Sequence, residues 1–311
     1  MDRINDLLEN VTEKLQQDYE GCNVKYNEIE RNNGVFAKAF VGSLPNSSIG
    51  VTVYIDNVLE QMKTGEMDVL DASEYIANIL REHISKDEMQ DAVKEIWRNP
   101  QKENIQLTVV NYEKNKEMLQ NAPHRIVGDD LALVCRYRAC PNGTILINND
   151  VATRLGMTPS EVIENGVRNI ETEDYEITPM ASILSELMGT DEYENDLTKN
   201  VQMLVVSNQN RVYGAAGSFA DISLREQLHE QVGDFYIIPS SIHECIVVPA
   251  SMMGVDEVNE MIQAVNETQL EPEEVLADHV YFVGQSLQIE NPMTVKEVSE
   301  EKMSAKASMR M

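Results

Sequence analysis

The pair Asn33-Gly34 limits the architectures open to this chain more than any other feature. It lies in Arg31-Asn32-Asn33-Gly34, between the alternating segments 24–30 and 35–41. Both residues tolerate positive φ, so the pair specifies a tight reversal and antiparallel pairing. A second turn signal, Pro45-Asn46-Ser47-Ser48, precedes a third strand at 49–55. The chain therefore opens, after its first helix, with a β meander. Ahead of the meander Ile4, Leu7, Leu8, Val11 and Leu15 recur at helical spacing and form one apolar stripe.

Helix signals follow. Asp71-Ala72-Ser73-Glu74 and Ser85-Lys86-Asp87-Glu88 read as capping boxes. The first precedes Ile76, Ile79 and Leu80; the second precedes Met89, Val93, Ile96 and Trp97 and is ended by Asn99-Pro100. A strand is predicted at 105–110. From about residue 121 a second region begins with a hairpin, 130–137 and 144–147, around Pro141-Asn142-Gly143. Leu155-Gly156 closes a short helix. Thr158-Pro159-Ser160-Glu161 opens another, with Val162, Ile163, Val167 and Ile170 as its apolar face. A strand at 175–178, a helix at 180–188 and an acidic connection at 190–200 come next.

Two further hairpins are predicted: 201–206 with 211–216, around Ser207-Asn208-Gln209-Asn210, and 234–238 with 244–248. Helices are predicted at 221–231, 256–268 and 273–279, the last opened by Glu271, Glu273 and Glu274. The recurrence of hairpin then helix suggests an internal duplication. The segment from Ser286 lacks periodicity and cannot bury enough apolar surface to offset its ordering entropy. The expected fold is α+β in three parts. Residues 1–120 form a helix, a three-stranded meander and a helical cluster. Residues 121–285 form an antiparallel or mixed sheet of β-hairpins with helices packed on one face. Residues 286–311 form a disordered tail.

Charge then narrows function. The chain carries 53 acidic residues against 25 basic ones, a net charge of -28. Such a field repels phosphate backbones and disfavours direct nucleic-acid binding. It permits a basic partner, including the DNA-binding cleft of another protein. A concrete version is a DNA-mimicking inhibitor whose carboxylates are spaced like phosphates; an acidic surface that simply keeps the protein soluble is the plainer account. Hydrophobic residues make up 42% and aromatics only 5%, so the core must rest on Leu, Ile, Val and Met. Met1-Asp2-Arg3-Ile4-Asn5-Asp6 is no signal peptide, and no stretch approaches the roughly 20 apolar residues of a membrane span. The expected location is the cytoplasm. Cys22, Cys135, Cys140 and Cys245 are too few for a disulfide scaffold.

The search for chemistry yields little. His83, His124, His229, His243 and His279 are scattered, and no metal-ligand spacing occurs. Cys135 and Cys140 are expected on opposite faces of a strand. No nucleotide motif is present. Gly214-Ala215-Ala216-Gly217-Ser218, between a predicted strand and helix, offers backbone amides to an anion but has no lysine beside it; close packing is the plainer account. Asp129-Asp130 reads as a turn. One turn holds the ingredients of a triad: Ser240, Ser241, His243 and Glu244 in Pro239-Ser240-Ser241-Ile242-His243-Glu244. Neighbours on one turn rarely align a serine with its base, and no nucleophile elbow is present. Serine hydroxyls satisfying the turn's backbone is again the plainer account.

A resemblance rests on several of these segments in order. They are Glu30-Arg31-Asn32-Asn33-Gly34-Val35, Val53-Tyr54-Ile55-Asp56, Val212-Tyr213-Gly214-Ala215-Ala216, Ile238-Pro239-Ser240-Ser241-Ile242-His243-Glu244, Val265-Asn266-Glu267-Thr268-Gln269 and Glu273-Glu274-Val275-Leu276-Ala277-Asp278. Over about residues 1–283 the chain resembles an uncharacterised bacterial family, a domain of unknown function common in Gram-positive gut anaerobes. The resemblance implies a cytoplasmic bacterial α+β protein carried on mobile elements, and it supplies no catalytic residue. The expected function is binding of a macromolecular protein partner by a non-enzymatic acidic protein, without cofactor or metal. The alternative is a hydrolase built around Ser240, Ser241 and His243 with Glu244.

Overall fold

The computed structural model describes residues 2–45, 47, 50–84, 96–140, 143–189, 202–268 and 270–292. It divides into two compact units, Met1–Pro100 and Gln101–Met311. The fold is α+β, and the sheets among the described residues are antiparallel throughout.

In the first unit, α1 (Asp2–Asp18) precedes the meander β1 (Asn23–Glu30), β2 (Phe36–Ser43) and β3 (Val51–Tyr54), in that spatial order. The reversal at Asn33-Gly34 is as expected: φ is 62° at Asn33 and 68° at Gly34. α2 (Asp56–Thr64) and α3 (Val69–Ile84) follow. Leu7, Val11 and Leu15 of α1 and Ile76 and Leu80 of α3 pack with Phe40 and Val53 of the sheet in one buried cluster. The expected cap at Asp71 is a correction. α3 starts earlier, because the Asp68 carboxylate accepts from the Leu70 and Asp71 N–H groups at 2.8 and 2.9 Å. The predicted box at Ser85–Glu88 and most of its helix lie outside the described residues.

In the second unit, β4 (Ile105–Asn111) pairs along its whole length with β6 (Leu131–Cys140). The compact boundary accordingly falls at Pro100 and not near 120. β5 (His124–Val127) and β7 (Gly143–Leu146) complete this four-stranded sheet. After α4 (Asn149–Arg154), α5 (Pro159–Ile170) packs on β4 and β6. Its Thr158–Glu161 capping box forms as predicted. A six-stranded sheet then runs in the order β13 (Ile289–Glu290), β12 (Tyr281–Val283), β10 (Phe235–Ile238), β11 (Glu244–Pro249), β9 (Leu204–Asn208), β8 (Tyr175–Pro179). The helices of this half are α6 (Met180–Met188), α7 (Ala215–Ala220), α8 (Ile222–Val232) and α9 (Val255–Thr268). α7 touches β4 and β9, so it lies between the two sheets. α9 covers the opposite face of the larger sheet, where Val258 and Ile262 meet Tyr236, Ile238 and Val248.

Three expectations fail here for physical reasons. Segment 211–216 is no strand. Arg211 and Tyr213 take φ of 51° and 60°, and the chain turns into α7. β9 pairs with β8 and β11 instead, so the hairpin that suggested a duplication is absent. Residues 273–279 form turns, not a helix. Asn111 and Asn266 donate side-chain amides to the Leu276 and Ala277 carbonyls at 2.8 and 2.9 Å, and Asn259 Oδ1 accepts from Val280 N at 3.0 Å, so distant side chains hold this backbone in its non-helical path. Finally, the segment from Ser286 is ordered at its start. The buried Arg225 donates to Leu287 O at 2.9 Å, and β13 then pairs with β12. Residues 293–311, the rest of the expected tail, lie outside the described residues, as do Pro141-Asn142 and the acidic connection.

One polar contact ties the two sheets. The Tyr281 hydroxyl of β12 donates to Asp130 Oδ1 at 2.7 Å, at the turn before β6. Burial pushes the Asp130 carboxyl above the ordinary aspartate range, against the lowering effects of that hydrogen bond and of His279. A carboxyl raised in the folded state holds its proton more tightly there than in the unfolded chain. Its stabilising contribution is complete below the unfolded pKa and is lost as pH rises through the folded one. Asp130→Asn is therefore expected to gain stability relative to the parent as pH rises from the ordinary aspartate range, about 4, towards neutral, measured by urea denaturation. Tyr281→Phe, which strands the carboxylate, should cost about 1–3 kcal/mol at neutral pH.

Candidate functional site

Two of the segments singled out from the sequence meet in the second unit: the loop 209–214 and the turn 239–244. The loop is held in its doubled-back form by one side chain. Asn208 Oδ1 accepts from Val212 N at 3.0 Å, and Asn208 Nδ2 donates to Val212 O at 2.9 Å. The same amide reaches Glu173 at 3.3 Å. Burial pushes the Glu173 carboxyl up, and the Asn208 amide and Arg138 only partly offset that. Two non-glycine residues with positive φ, Arg211 and Tyr213, thus stand two apart. Each such conformation costs of order 1 kcal/mol and persists because the surroundings impose it.

The glycines enforce the rest. A Cβ at Gly214 would lie 2.5 Å from Asn208 N and 2.7 Å from His243 O, and one at Gly217 would lie 2.3 Å from the Tyr175 ring. Close packing is thus the role of the small-residue run 214–218. Two of its amides are engaged, Ala216 and Gly217 N–H donating to Tyr213 O and Gly214 O, and the Tyr213 N–H just before it donates to His243 Nδ1.

The loop lays Tyr213 on His243. The rings are 5.8 Å apart and 23° from parallel. On the other side the Arg136 guanidinium stands 5.6 Å from the Tyr213 ring centroid. Arg136 Nε donates to Thr144 Oγ1 at 2.7 Å, and that hydroxyl is 3.4 Å from the Tyr213 phenol. Tyr213 N donates to His243 Nδ1 at 3.3 Å. A backbone N–H can only donate, so Nδ1 is the acceptor and the neutral ring carries its proton on Nε2.

That tautomer is the reverse of a serine-hydrolase histidine, in which Nδ1–H donates to a carboxylate and Nε2 receives the serine proton. The Ser241 hydroxyl and the backbone N–H groups of both serines are engaged within the turn. Ser241 Oγ accepts from His243 N at 3.0 Å, and Ser240 N and Ser241 N donate to Ile238 O and Glu244 O. Ser240, Ser241, His243 and Glu244 therefore share a turn without forming a relay, and the hydroxyl of Ser241 satisfies its backbone.

Glu244 belongs to a neighbouring feature. Strand register places Glu176, Ser207 and Glu244 in one row across β8, β9 and β11. With Met180, Ile183 and Val205 they line a cavity of about 300 Å³. Arg211 lies over the row and pairs with Glu176 at 3.1 and 3.3 Å. Ser207 Oγ donates to His243 O at 2.8 Å, joining cavity and turn. Burial pushes the Cys135 and Cys245 thiols up to about 12, so neither is a ready nucleophile. Among the described residues no group of three or more His, Cys, Asp and Glu is placed to hold a metal ion. No described helix is long and apolar enough to cross a membrane. Sequence reasoning found the turn but missed Asn208, Arg136 and Arg211; the φ reversal at 211 and 213 carries no Gly or Asn-Gly signal.

Nuclear magnetic resonance of 15N-labelled protein checks the tautomer: at neutral pH His243 should show a protonated Nε2 and an unprotonated Nδ1. The reverse assignment would restore the hydrolase alternative.

Residues 4–283 match the model of a family of unknown function (DUF5688), and the chain belongs to that family. No curated protein and no solved structure matches it.

Proposed function

We propose that this protein works by binding a basic macromolecular partner in the cytoplasm, without catalysis of its own. The observation that carries this is how its few bases are used. Lys14 pairs with Glu74 at 2.6 Å, and Arg81 pairs with Asp18 and Glu74 at 2.7 and 2.9 Å. Lys63, Lys116 and Arg211 likewise stand on Glu60, Glu113 and Glu176. Exposed pairs of this kind add little stability, with a median of about 0–1 kcal/mol. Their effect is on the field: these bases are neutralised locally, in a chain whose net charge is -28. Such a surface steers and selects positively charged partners. The hydrolase alternative is disfavoured by the His243 tautomer and by the engagement of Ser241 with its own turn.

Affinity capture from a native lysate tests the proposal. Basic proteins should be retained at about 0.1 M salt, where the Debye length is about 10 Å, and released near 1 M, where it is about 3 Å. His243→Ala should retain the same partners. Capture of no basic protein at low salt would overturn binding by charge.

A further inference from the structure

We propose that the outer edge of β1, with the groove it shares with α1, takes an extended basic segment of a partner protein as an added strand. The proposal rests on the basic-partner function above and names the surface and mode of binding.

β1 is the edge of the three-stranded sheet, and among the described residues nothing pairs with its outer side. It runs for eight residues, Asn23–Glu30, without proline or glycine and in unbroken register with β2. β1 has no bulge, no proline and is not short; the residues that guard its edge are charged ones, Lys25, Glu28 and Glu30, and against a basic strand the two carboxylates attract. Its row of unpaired N–H and C=O groups is the template that strand addition uses.

A groove of about 410 Å³ lies beside it, lined by Leu8 and Thr12 of α1 and Val24 of β1, with Asn5, Glu9 and Glu13 at its rim. The floor is apolar and the rim acidic, which suits a side chain with an aliphatic stem and a cationic end. Asp6, Glu9 and Glu13 recur at spacings of three and four on α1, are all exposed, and none is held in an ion pair. Like charges so placed destabilise a helix. Lys14, the base within reach, is turned to Glu74 of α3.

The strand continues the pattern. Tyr26 packs edge-on to the core residue Phe40, which fixes the helix-bearing face of β1 as Val24, Tyr26, Glu28 and Glu30. Alternate residues of an added strand would therefore face an apolar residue, an aromatic and two carboxylates, under the Glu9–Glu13 rim. Lysine or arginine at those alternate positions meets an acid or an apolar surface throughout.

The probe is a fluorescent peptide alternating lysine with threonine, matched to the eight residues of β1. Its binding to the full chain is read by anisotropy at low salt. The parent should bind it. Glu9→Gln with Glu13→Gln, both exposed and outside the core, should weaken binding about five- to tenfold. Glu257→Gln with Glu260→Gln on α9 should leave it unchanged. The same peptide methylated at its backbone nitrogens keeps its charge but cannot pair, and it should lose binding. Equal weakening by both pairs of substitutions would overturn the groove and leave only general charge attraction. Equal binding of the methylated peptide would overturn strand addition. If the parent fails to bind the peptide yet captures basic proteins from lysate, the surface assigned here is wrong and the basic-partner function stands.

Discussion

The second unit depends on one close approach. α7 lies between two sheets, and it fits because residues 214–218 are Gly, Ala, Ala, Gly and Ser. The Tyr175 ring presses on Gly217, and the Asn208 and His243 backbones press on Gly214. Any side chain there would push the sheets apart, at a cost of about 1–3 kcal/mol for even modest overpacking. The position of α7 in turn sets the path of the loop before it. That path brings Tyr213 onto His243 and Arg211 over the Glu176–Glu244 row.

Polar burial is managed in two ways. Arg225 is buried, and burial pulls its guanidinium pKa down even beside Asp221. It is retained by backbone carbonyls, those of Ser218 and Leu287. This holds the start of the C-terminal segment to the sheet. Asp130 and Glu173 are half-buried carboxyls that accept from the Tyr281 hydroxyl and the Asn208 amide. Both are raised by burial, so both stabilise the fold more in acid than at neutral pH. The remaining acids are mostly exposed and give the protein its external field.

The stacked Tyr213–His243 pair shows why residue types alone do not identify chemistry. Serine, histidine and glutamate are all present on one turn. Hydrogen-bond direction decides what they can do, and here the histidine accepts where a catalytic one would donate. The function proposed above rests instead on surfaces: the first unit offers an eight-residue open strand edge beside unpaired acids.

Much of the local structure was legible in the sequence. Helical spacing of Ile4 to Leu15, the Asn33-Gly34 reversal and the Thr158–Glu161 box each formed as written, because capping and turn geometry are decided within a few residues. Charge, too, belongs to composition. What tertiary structure decided was wherever distant groups competed for the backbone. Asn111 and Asn266 fix the Leu276 and Ala277 carbonyls in the non-helical path of 273–279. Arg225 ordered a segment too polar to order itself. Asn208 bent a predicted strand into the loop that carries Tyr213. In each case the deciding hydrogen bond comes from a side chain whose position is fixed only once the sheets have assembled.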